Sequence, residues 1–135
     1  MDGLLLDTDV VSFLFKRDTR AERYLPLLAN HLLIVSFMTV AELDRWALAH
    51  EWGEPRRTAL DAHIRRFIIH PFDRDLCRTW AKVIDMRRRQ GRPIQCADAW
   101  IAATALHHDW PLVTHNAQDY LGINELKLLS ITEDK

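Results

Sequence analysis

Residues 4–12 read Leu-Leu-Leu-Asp-Thr-Asp-Val-Val-Ser, and this stretch decides how the rest of the chain is interpreted. Three consecutive leucines are typical of a short strand that is buried on both faces. Asp7 ends the run, and the apolar residues over 10–15 suit a buried helix that follows the strand. The stretch therefore predicts a buried strand that leads directly into a helix, with an acid at the junction.

The same succession of a strand followed by a helix occurs again further along the chain. Residues 32–35 form a second apolar run, and Thr39-Val40-Ala41-Glu42 then has the form of a capping box that opens a helix toward His50. Further helices are predicted over 20–30, from Pro55 through Phe67 and Ile68, over 73–90 and over 97–108, and further strands over 68–72, 112–114 and 126–131. Alternating strands and helices favour an α/β fold with a mostly parallel central sheet and helices on both faces. No repeat or linker divides the sequence, so we expect one domain over residues 1–135.

Composition excludes several classes of function. The 18 Lys and Arg residues nearly balance the 19 Asp and Glu residues, so any contact with nucleic acid must be local. Cys77 and Cys96 belong to no CxxC motif, which argues against a disulfide framework or a zinc knuckle. No segment approaches the roughly 18 apolar residues of a membrane span. We therefore expect a cytoplasmic protein that does not associate with membranes.

Four acids are predicted to lie at the same edge of the sheet. Asp7 ends the first strand, and Glu42 opens the helix after the second strand. Ligands of open parallel sheets bind outside the carboxyl ends of the strands, so both acids should face one crevice. Asp98 lies in the first turn of a helix, where the helix dipole favours a carboxylate. Asp119 follows the strand over 112–114 by one turn, on the same side of the sheet.

Carboxylates gathered without Arg or Lys repel one another, so such a cluster usually contains a metal ion. Oxygen ligands without a Cys or His pair select Mg²⁺ or Mn²⁺, and these ions support phosphodiester hydrolysis. Each acid taken singly also has a structural explanation. Glu42 completes a capping box, Asp98 interacts with a helix dipole and Asp119 forms an Asx turn. Their joint placement at one edge favours the metal site.

The chain resembles the PIN-domain ribonucleases, and among them the VapC-type toxins of bacterial and archaeal toxin–antitoxin pairs. Four segments carry the resemblance and span nearly the whole chain: residues 4–12, 36–43 (SFMTVAEL), 91–106 (GRPIQCADAWIAATAL) and 112–120 (LVTHNAQDY). The resemblance implies a PIN-like nuclease fold and a metal-dependent endoribonuclease that cleaves RNA. It also implies a VapB-like antitoxin as the partner and a homodimer as the oligomeric state.

The resemblance also assigns residues. It implies that Mg²⁺, or alternatively Mn²⁺, is bound by an acidic quartet, with Asp7 and Asp98 as the firmest ligands and Glu42 and Asp119 binding directly or through water. It further implies that Thr114 and Asn116 are polar helpers of the catalytic site. Tyr120 stands where phenylalanine is common in the family, and the role of Asp9 stays open between ligand, cap and neighbour.

Two alternatives belong to other classes of protein. Residues 4–10 also resemble the opening motif of haloacid-dehalogenase-type phosphatases, in which Asp7 would be the nucleophile and Asp9 the acid. That mechanism needs a later lysine, and the candidates are Lys82, inside a helical pattern, and Lys127, near the last strand. The second alternative is a non-catalytic module with a PIN fold that binds RNA or protein.

Two groups of residues are candidates for RNA contact. Arg87, Arg88, Arg89 and Arg92 could bind phosphates, although such a run more often closes a helix in solvent. Among the tryptophans, Trp80 lies on an apolar stripe and is expected in the core, whereas Trp46 and Trp52 are better candidates for exposure.

Overall fold

The protein is built around one sheet, and successive side chains of its first strand point to opposite faces of that sheet. A computed structural model describes residues 2–131. Its five strands lie in the order β3-β2-β1-β4-β5. Every strand pairing within the described residues is parallel. The strands are β1 (Gly3–Leu6), β2 (Leu32–Ser36), β3 (Ile68–His70), β4 (Leu112–Val113) and β5 (Leu128–Leu129).

Helices connect the strands. They are α1 (Thr8–Lys16), α2 (Thr19–Leu28), α3 (Phe37–Ala49), α4 (Glu54–Ile64), α5 (Arg74–Arg89) and α6 (Cys96–His108), and Ala117–Tyr120 form a 3₁₀ turn. Leu4 and Leu6 pack in a core with side chains of α1 to α4, whereas Leu5 packs in a second core with α5 and α6. The expected α/β fold, with helices on both faces of a parallel sheet, is therefore confirmed.

The start of α3 differs from the prediction. The helix begins at Phe37, and the side-chain oxygen of its N-cap residue Ser36 accepts a hydrogen bond from the Met38 N–H at 3.0 Å. Thr39 lies buried inside the helix, so the predicted capping box of Thr39 and Glu42 is wrong. Ser36 caps the helix because β2 ends there in extended backbone. The Glu42 carboxylate is consequently not needed for capping.

A predicted helix and a predicted strand are shorter in the structure than the sequence indicated. The helix from Pro55 ends at Ile64, and Phe67 and Ile68 belong to the following turn and to β3, although their spacing continues the helical pattern. β3 ends at His70, before Pro71, so it is also shorter than the strand predicted over 68–72. The last strand contains only Leu128–Leu129, because its pairing with β4 is limited to those two positions. No helix within residues 2–131 has the length and apolar character needed to cross a membrane.

Candidate active site

Asp7 lies at the carboxyl end of β1 and is held by five hydrogen bonds, one of which its carbonyl accepts from the Val11 N–H at 3.2 Å. Its backbone N–H donates to the Val113 carbonyl at 2.8 Å, and its Oδ1 accepts from the Thr8 N–H at 2.8 Å, which caps α1. Its Oδ2 accepts from the hydroxyls of Thr114 at 2.8 Å and Tyr120 at 2.9 Å. The side chain is buried. These contacts give the carboxylate a single orientation at the central strand of the sheet.

Tyr120 connects Asp7 to Asp98, which lies in the first turn of α6. The Tyr120 hydroxyl is 2.9 Å from Asp7 Oδ2 and 3.4 Å from Asp98 Oδ1. Burial and the neighbouring carboxylates raise the pKa of Tyr120 well above its ordinary value, so the phenol stays protonated. Since the hydroxyl carries one proton, it donates to only one carboxylate at a time.

Glu42 joins the site from α3. Its Oε1 accepts from the Thr8 hydroxyl at 2.8 Å. The Thr8 and Thr39 hydroxyl oxygens are 3.0 Å apart. Since the Thr8 proton is committed to Glu42, Thr39 donates to Thr8 in this chain of hydrogen bonds. Thr39 thus orients Glu42 through Thr8 rather than capping a helix.

Asp9 links the start of α1 to the loop after β4 through hydrogen bonds. Its Oδ2 accepts from the His115 N–H at 3.0 Å and from the Asn116 side-chain amide at 2.9 Å. The Asn116 N–H donates to the Thr114 hydroxyl at 3.1 Å. Asn116 therefore lies beside the site but contacts Asp9 and Thr114, and the Thr114 hydroxyl in turn contacts Asp7.

Asp119 lies in the exposed 3₁₀ turn and reaches the cluster through its charge. That charge contributes to the raised pKa of both Asp7 and Asp98. The Asp119 carbonyl accepts a hydrogen bond from Arg87 Nη1 at 2.8 Å. Hydrogen bonds through Thr8 and Tyr120 thus connect Asp7, Glu42 and Asp98, whereas Asp119 acts on Asp7 and Asp98 through its charge alone.

The carboxylates of the crevice destabilise one another's charged forms. Burial, followed by the charges of Asp7, Asp119 and Glu42, raises the pKa of Asp98 to about 6. Burial, followed by the charge of Asp7, raises the pKa of Asp9 to about 7. Burial also raises the pKa of Asp7 and of Glu42. The ion pairs found within residues 2–131 lie elsewhere, on Asp18, Asp75, Asp85 and Asp109.

The donor set of the crevice consists of carboxylate oxygens and hydroxyls. Among residues 2–131 none of these acids forms an ion pair, so the crevice carries negative charge. This chemistry fits a hard divalent cation. Within residues 2–131, however, no three His, Cys, Asp or Glu side chains lie in an arrangement that could hold a metal ion as the structure stands. The Glu42 carboxylate accepts a hydrogen bond from the Thr8 hydroxyl, and the Asp7 carboxylate accepts from the hydroxyls of Thr114 and Tyr120.

Comparison with known proteins identifies the family. The family model described as the PIN domain matches residues 4–120. The chain belongs to the PIN-domain family. This PIN-domain chain is 33% identical over 126 residues to Ribonuclease VapC1 of Haemophilus influenzae, an alignment that covers 91% of this chain and 93% of the relative. It is 30% identical to VapC ribonuclease Y4jK of Sinorhizobium fredii, covering 87% of this chain and 89% of that one.

Solved structures share the fold of this PIN-domain chain. A crystal structure of VapBC2 from Rickettsia felis bound to a promoter DNA fragment matches with a TM-score of 0.86 at 23% identity, covering 96% of this chain and 99% of that one. The structure of VapBC-1 from nontypeable Haemophilus influenzae matches with a TM-score of 0.75 at 29% identity, covering 95% and 97%.

The phosphatase alternative does not agree with the structure of this PIN-domain chain. Lys127 pairs with Asp109 at 3.2 Å, beyond the end of α6 that lies away from Asp98. Lys82 lines a cavity beside Leu106 and His107, at that same end of α6. Neither lysine is placed to hold a phosphorylated Asp7.

The expectations for the arginine run and the tryptophans are confirmed for Arg88, Arg89 and Trp46 but not for Arg87. Arg88 and Arg89 pair with Asp85 in solvent, as the solvent interpretation of the run predicts. Arg87 is buried, and its guanidinium donates to the carbonyls of Arg92 and Asp119 at 2.8 Å each. Trp80 is only half-buried and stacks on Trp100, whereas Trp46 is exposed and Trp52 is half-buried.

Sequence reasoning missed two residues of the site. Thr8 orients Glu42, and Tyr120 binds Asp7 and contacts Asp98. A hydroxyl residue directly after a strand-end acid was the available signal for Thr8. Tyr120 was noted only as a departure from the family pattern, and its position next to Asp119 was the available signal.

Proposed function

We propose that this chain is the ribonuclease toxin of a toxin–antitoxin pair and that it hydrolyses RNA phosphodiester bonds in the acidic crevice. The observation that carries the proposal is the buried Asp7, which two hydroxyls orient toward the other carboxylates of the crevice. Relatives with the names Ribonuclease VapC1 and Toxin FitB support the same activity. We treat residues 1–135 as one nuclease domain that acts in the cytoplasm.

Metal dependence is general among PIN-domain ribonucleases of the VapC type. For this chain we propose Mg²⁺, with Mn²⁺ as an alternative. Asp7 and Asp98 are the proposed principal ligands, and Glu42 and Asp119 would bind directly or through water. When bound, the ion supplies positive charge against the phosphoryl oxygens and lowers the pKa of water. The raised pKa values of Asp98 and Glu42 support this assignment, because a cation would relieve the repulsion among the charges.

The protein's own residues would prepare this chemistry before RNA arrives. Thr114 and Tyr120 hold Asp7 in one orientation, and Thr8 holds Glu42. Side chains that are already oriented need not reorganise when charge develops at the reacting centre. Because the Tyr120 phenol stays neutral, it adds a hydrogen-bond donor without adding another negative charge to the crevice.

We propose that the partner is a VapB-like antitoxin, in line with the VapBC and FitAB assemblies among the structural neighbours. A groove of about 600 Å³ between α1, α2 and α4 is suited to its apolar segment. The apolar lining of the groove is Leu14, Ala21, Leu25, Leu28, Ala29, Leu33 and Phe67. Leu25 is 54% exposed, so a helix laid in the groove would remove a large apolar side chain from water.

The resemblance also implies a homodimer, which we retain as a proposal. β3 is an edge strand, and Ile68, Ile69 and the following Phe72 expose 51%, 45% and 64% of their surface. Exposed apolar side chains on a sheet edge support self-association at this edge. Sedimentation of the chain with and without Ile69→Lys tests the proposal.

The nuclease proposal is tested with the purified chain and total cellular RNA. We expect cleavage with added Mg²⁺ and none in excess chelator. We expect no cleavage by Asp7→Asn or Asp98→Asn with either addition. Cleavage that persists in chelator, or in both variants, would contradict the metal site.

A further inference from the structure

A basic cavity lies between the end of α1 and α4, outside the acidic crevice. It measures about 500 Å³, and its lining includes the four cations Lys16, Arg17, Arg56 and Arg66. Among the residues the structure describes, the lining includes no Asp or Glu, and none of the four cations forms an ion pair. In a chain whose formal net charge is −1, this is a strong local concentration of positive charge.

Aromatic rings adjoin the basic cavity. The Trp52 and Phe15 rings stack at 5.8 Å, and the Arg56 guanidinium lies 4.1 Å from the Trp52 ring. Lys16 Nζ lies 5.3 Å from the ring of Trp46, whose exposed fraction is 37%. Cations interleaved with accessible aromatic rings bind single-stranded nucleic acid, because phosphates contact the cations while bases stack on the rings.

The surface from the acidic crevice to this cavity follows two helices. α1 begins at Thr8 in the crevice and ends at Lys16, about 12 Å further along its axis. On α3, Trp46 follows Glu42 by one turn, about 6 Å along the axis. A strand with its scissile bond in the crevice therefore has a short path to the cavity.

We infer that the basic cavity and Trp46 bind the single-stranded RNA that flanks the cleaved bond. The inference rests on the proposed function. Lys16, Arg17, Arg56 and Arg66 neutralise phosphates of this flanking segment, and one unpaired base stacks on Trp46. Unpaired RNA fits best because a stacked ring needs a base that has left its own helix.

Competition with the antitoxin follows from the position of the cavity. Its lining shares Leu14, Arg17, His63 and Arg66 with the apolar groove. A segment seated in the groove therefore occupies part of the RNA path. The exposed ring of Trp46 and the short distance to the crevice favour RNA over an acidic peptide as the occupant of the cavity.

The binding test uses the full chain with Asp98→Asn, so that RNA is not consumed. Fluorescence anisotropy with a labelled 16-nucleotide unstructured RNA measures Kd at several salt concentrations. We expect Lys16→Gln with Arg56→Gln to raise Kd about tenfold or more. We also expect the slope of log affinity against log salt to decrease by about 1.4, since each phosphate contact contributes about 0.7 for single strands.

Matched variants control for loss of charge. Lys127→Gln with Arg78→Gln also removes one Lys and one Arg, but these side chains pair with Asp109 and Asp75 away from the cavity. We expect this control to leave Kd and the salt slope unchanged. Trp46→Ala should raise Kd about fivefold or more with an unchanged salt slope, because it removes stacking and no charge. Trp46→Phe should retain most of the affinity.

Three outcomes separate the alternatives. If the Lys16 and Arg56 changes leave Kd and the salt slope unchanged, the inference is wrong, while RNA cleavage by the parent preserves the proposed function. If those changes weaken binding of a labelled poly-glutamate peptide and leave RNA binding unchanged, the cavity binds a protein segment and the inference is also wrong. A parent that binds RNA through these residues but never cleaves it with Mg²⁺ would contradict the proposed function and support the binding site.

Discussion

Tyr120 donates a hydrogen bond to Asp7 at 2.9 Å, across 113 positions of the sequence. Both side chains are buried, so the phenol substitutes for water that the carboxylate has lost. The contact also joins the 3₁₀ turn that carries Asp119 to the strand that carries Asp7. One hydroxyl therefore ties the 3₁₀ turn to the central strand of the sheet.

Tyr120→Phe should keep RNA cleavage but raise the Mg²⁺ concentration needed for half-maximal activity several-fold. The change removes one donor to Asp7, which weakens the orientation of the carboxylate without changing charge. Stability should fall by roughly 1.5–3 kcal/mol, the range for a hydrogen bond to a charged group. Tyr24→Phe is the control, since the Tyr24 hydroxyl lies 2.7 Å from His115 Nδ1 rather than from an acid. An unchanged Mg²⁺ requirement in Tyr120→Phe would contradict the prediction.

Asp98→Asn should abolish cleavage and stabilise the metal-free chain. The substitution removes one of several repelling charges while keeping the shape of the side chain. After allowance for partial solvent exposure, the gain in the free energy of unfolding at pH 8 is roughly 1–2 kcal/mol. Urea unfolding in EDTA measures it. Asp85→Asn, which removes an exposed acid paired with Arg88 and Arg89, should leave cleavage intact.

The metal-free chain should lose stability as the pH rises from about 4 to 8. The pKa values of Asp98 and Asp9 rise from 3.8 to about 6 and about 7, so the folded state binds more protons than the unfolded state in that window. Burial lowers the pKa of His63 and so acts in the opposite direction below pH 6.5. The decisive measurement is thus the difference from Asp9→Asn, whose melting temperature in EDTA should fall less between pH 5 and pH 8. Parallel curves for parent and variant would contradict the prediction.

The identity of the metal ion should affect the rate of RNA cleavage more than it affects binding of the ion to the protein. Chelation should silence cleavage, and Mg²⁺ or Mn²⁺ should restore it. Ca²⁺ should bind and raise the melting temperature but support much slower cleavage, because its larger and looser ligand shell positions water poorly. Paired melting and cleavage assays measure both effects. Equal turnover with Ca²⁺ and Mg²⁺ would argue against this explanation.

Leu25→Asp should prevent inhibition by the antitoxin and leave RNA cleavage unchanged. The substitution places a charge in the apolar groove, away from the acidic crevice. Leu48→Asp, at an exposed leucine outside that groove, is the control. Co-expression with the product of an adjacent small reading frame, followed by pull-down and RNA cleavage, gives the readout.

The antitoxin should also place a cation near the acids. An Arg or Lys beside Asp7 and Asp98 would offset their repulsion and compete with both metal and phosphate. Replacing each antitoxin Arg and Lys in turn with Ala should identify one residue whose loss preserves binding and relieves inhibition. If every such variant inhibits as well as the parent, the cation mechanism is wrong.

The local pattern of apolar and polar residues was sufficient to predict the order of strands and helices and to select the candidate acids. An apolar run followed by helical periodicity predicted β1 and α1, and the parallel order of strands then gave Asp7, Glu42, Asp98 and Asp119 a common edge. This inference needs only the direction of each strand, which the intervening helices determine. The structure brings those four acids together, and their role as metal ligands stays a proposal.

The sequence pattern gave wrong predictions where the same residues are compatible with two different local conformations or environments. Thr39 and Glu42 have the spacing of a capping box, but Ser36 ends β2 and caps α3 first. Arg87 belongs to an arginine run that looks solvent-exposed, yet it lies on the face of α5 that packs toward the Asp119 turn. The side of a helix that becomes buried depends on the partner element, which the run of charges does not specify.

The sequence by itself determined the parallel α/β order and the edge at which the acids gather, because strand direction and side-chain periodicity are local properties of the chain. Only the tertiary structure decided how the acids are held. Thr114 and Tyr120 reach Asp7 from positions 107 and 113 residues away, and Asn116 reaches Asp9 from 107 residues away. A hydrogen bond requires its atoms to lie within about 3 Å of each other, and the register of β4 beside β1 sets that distance.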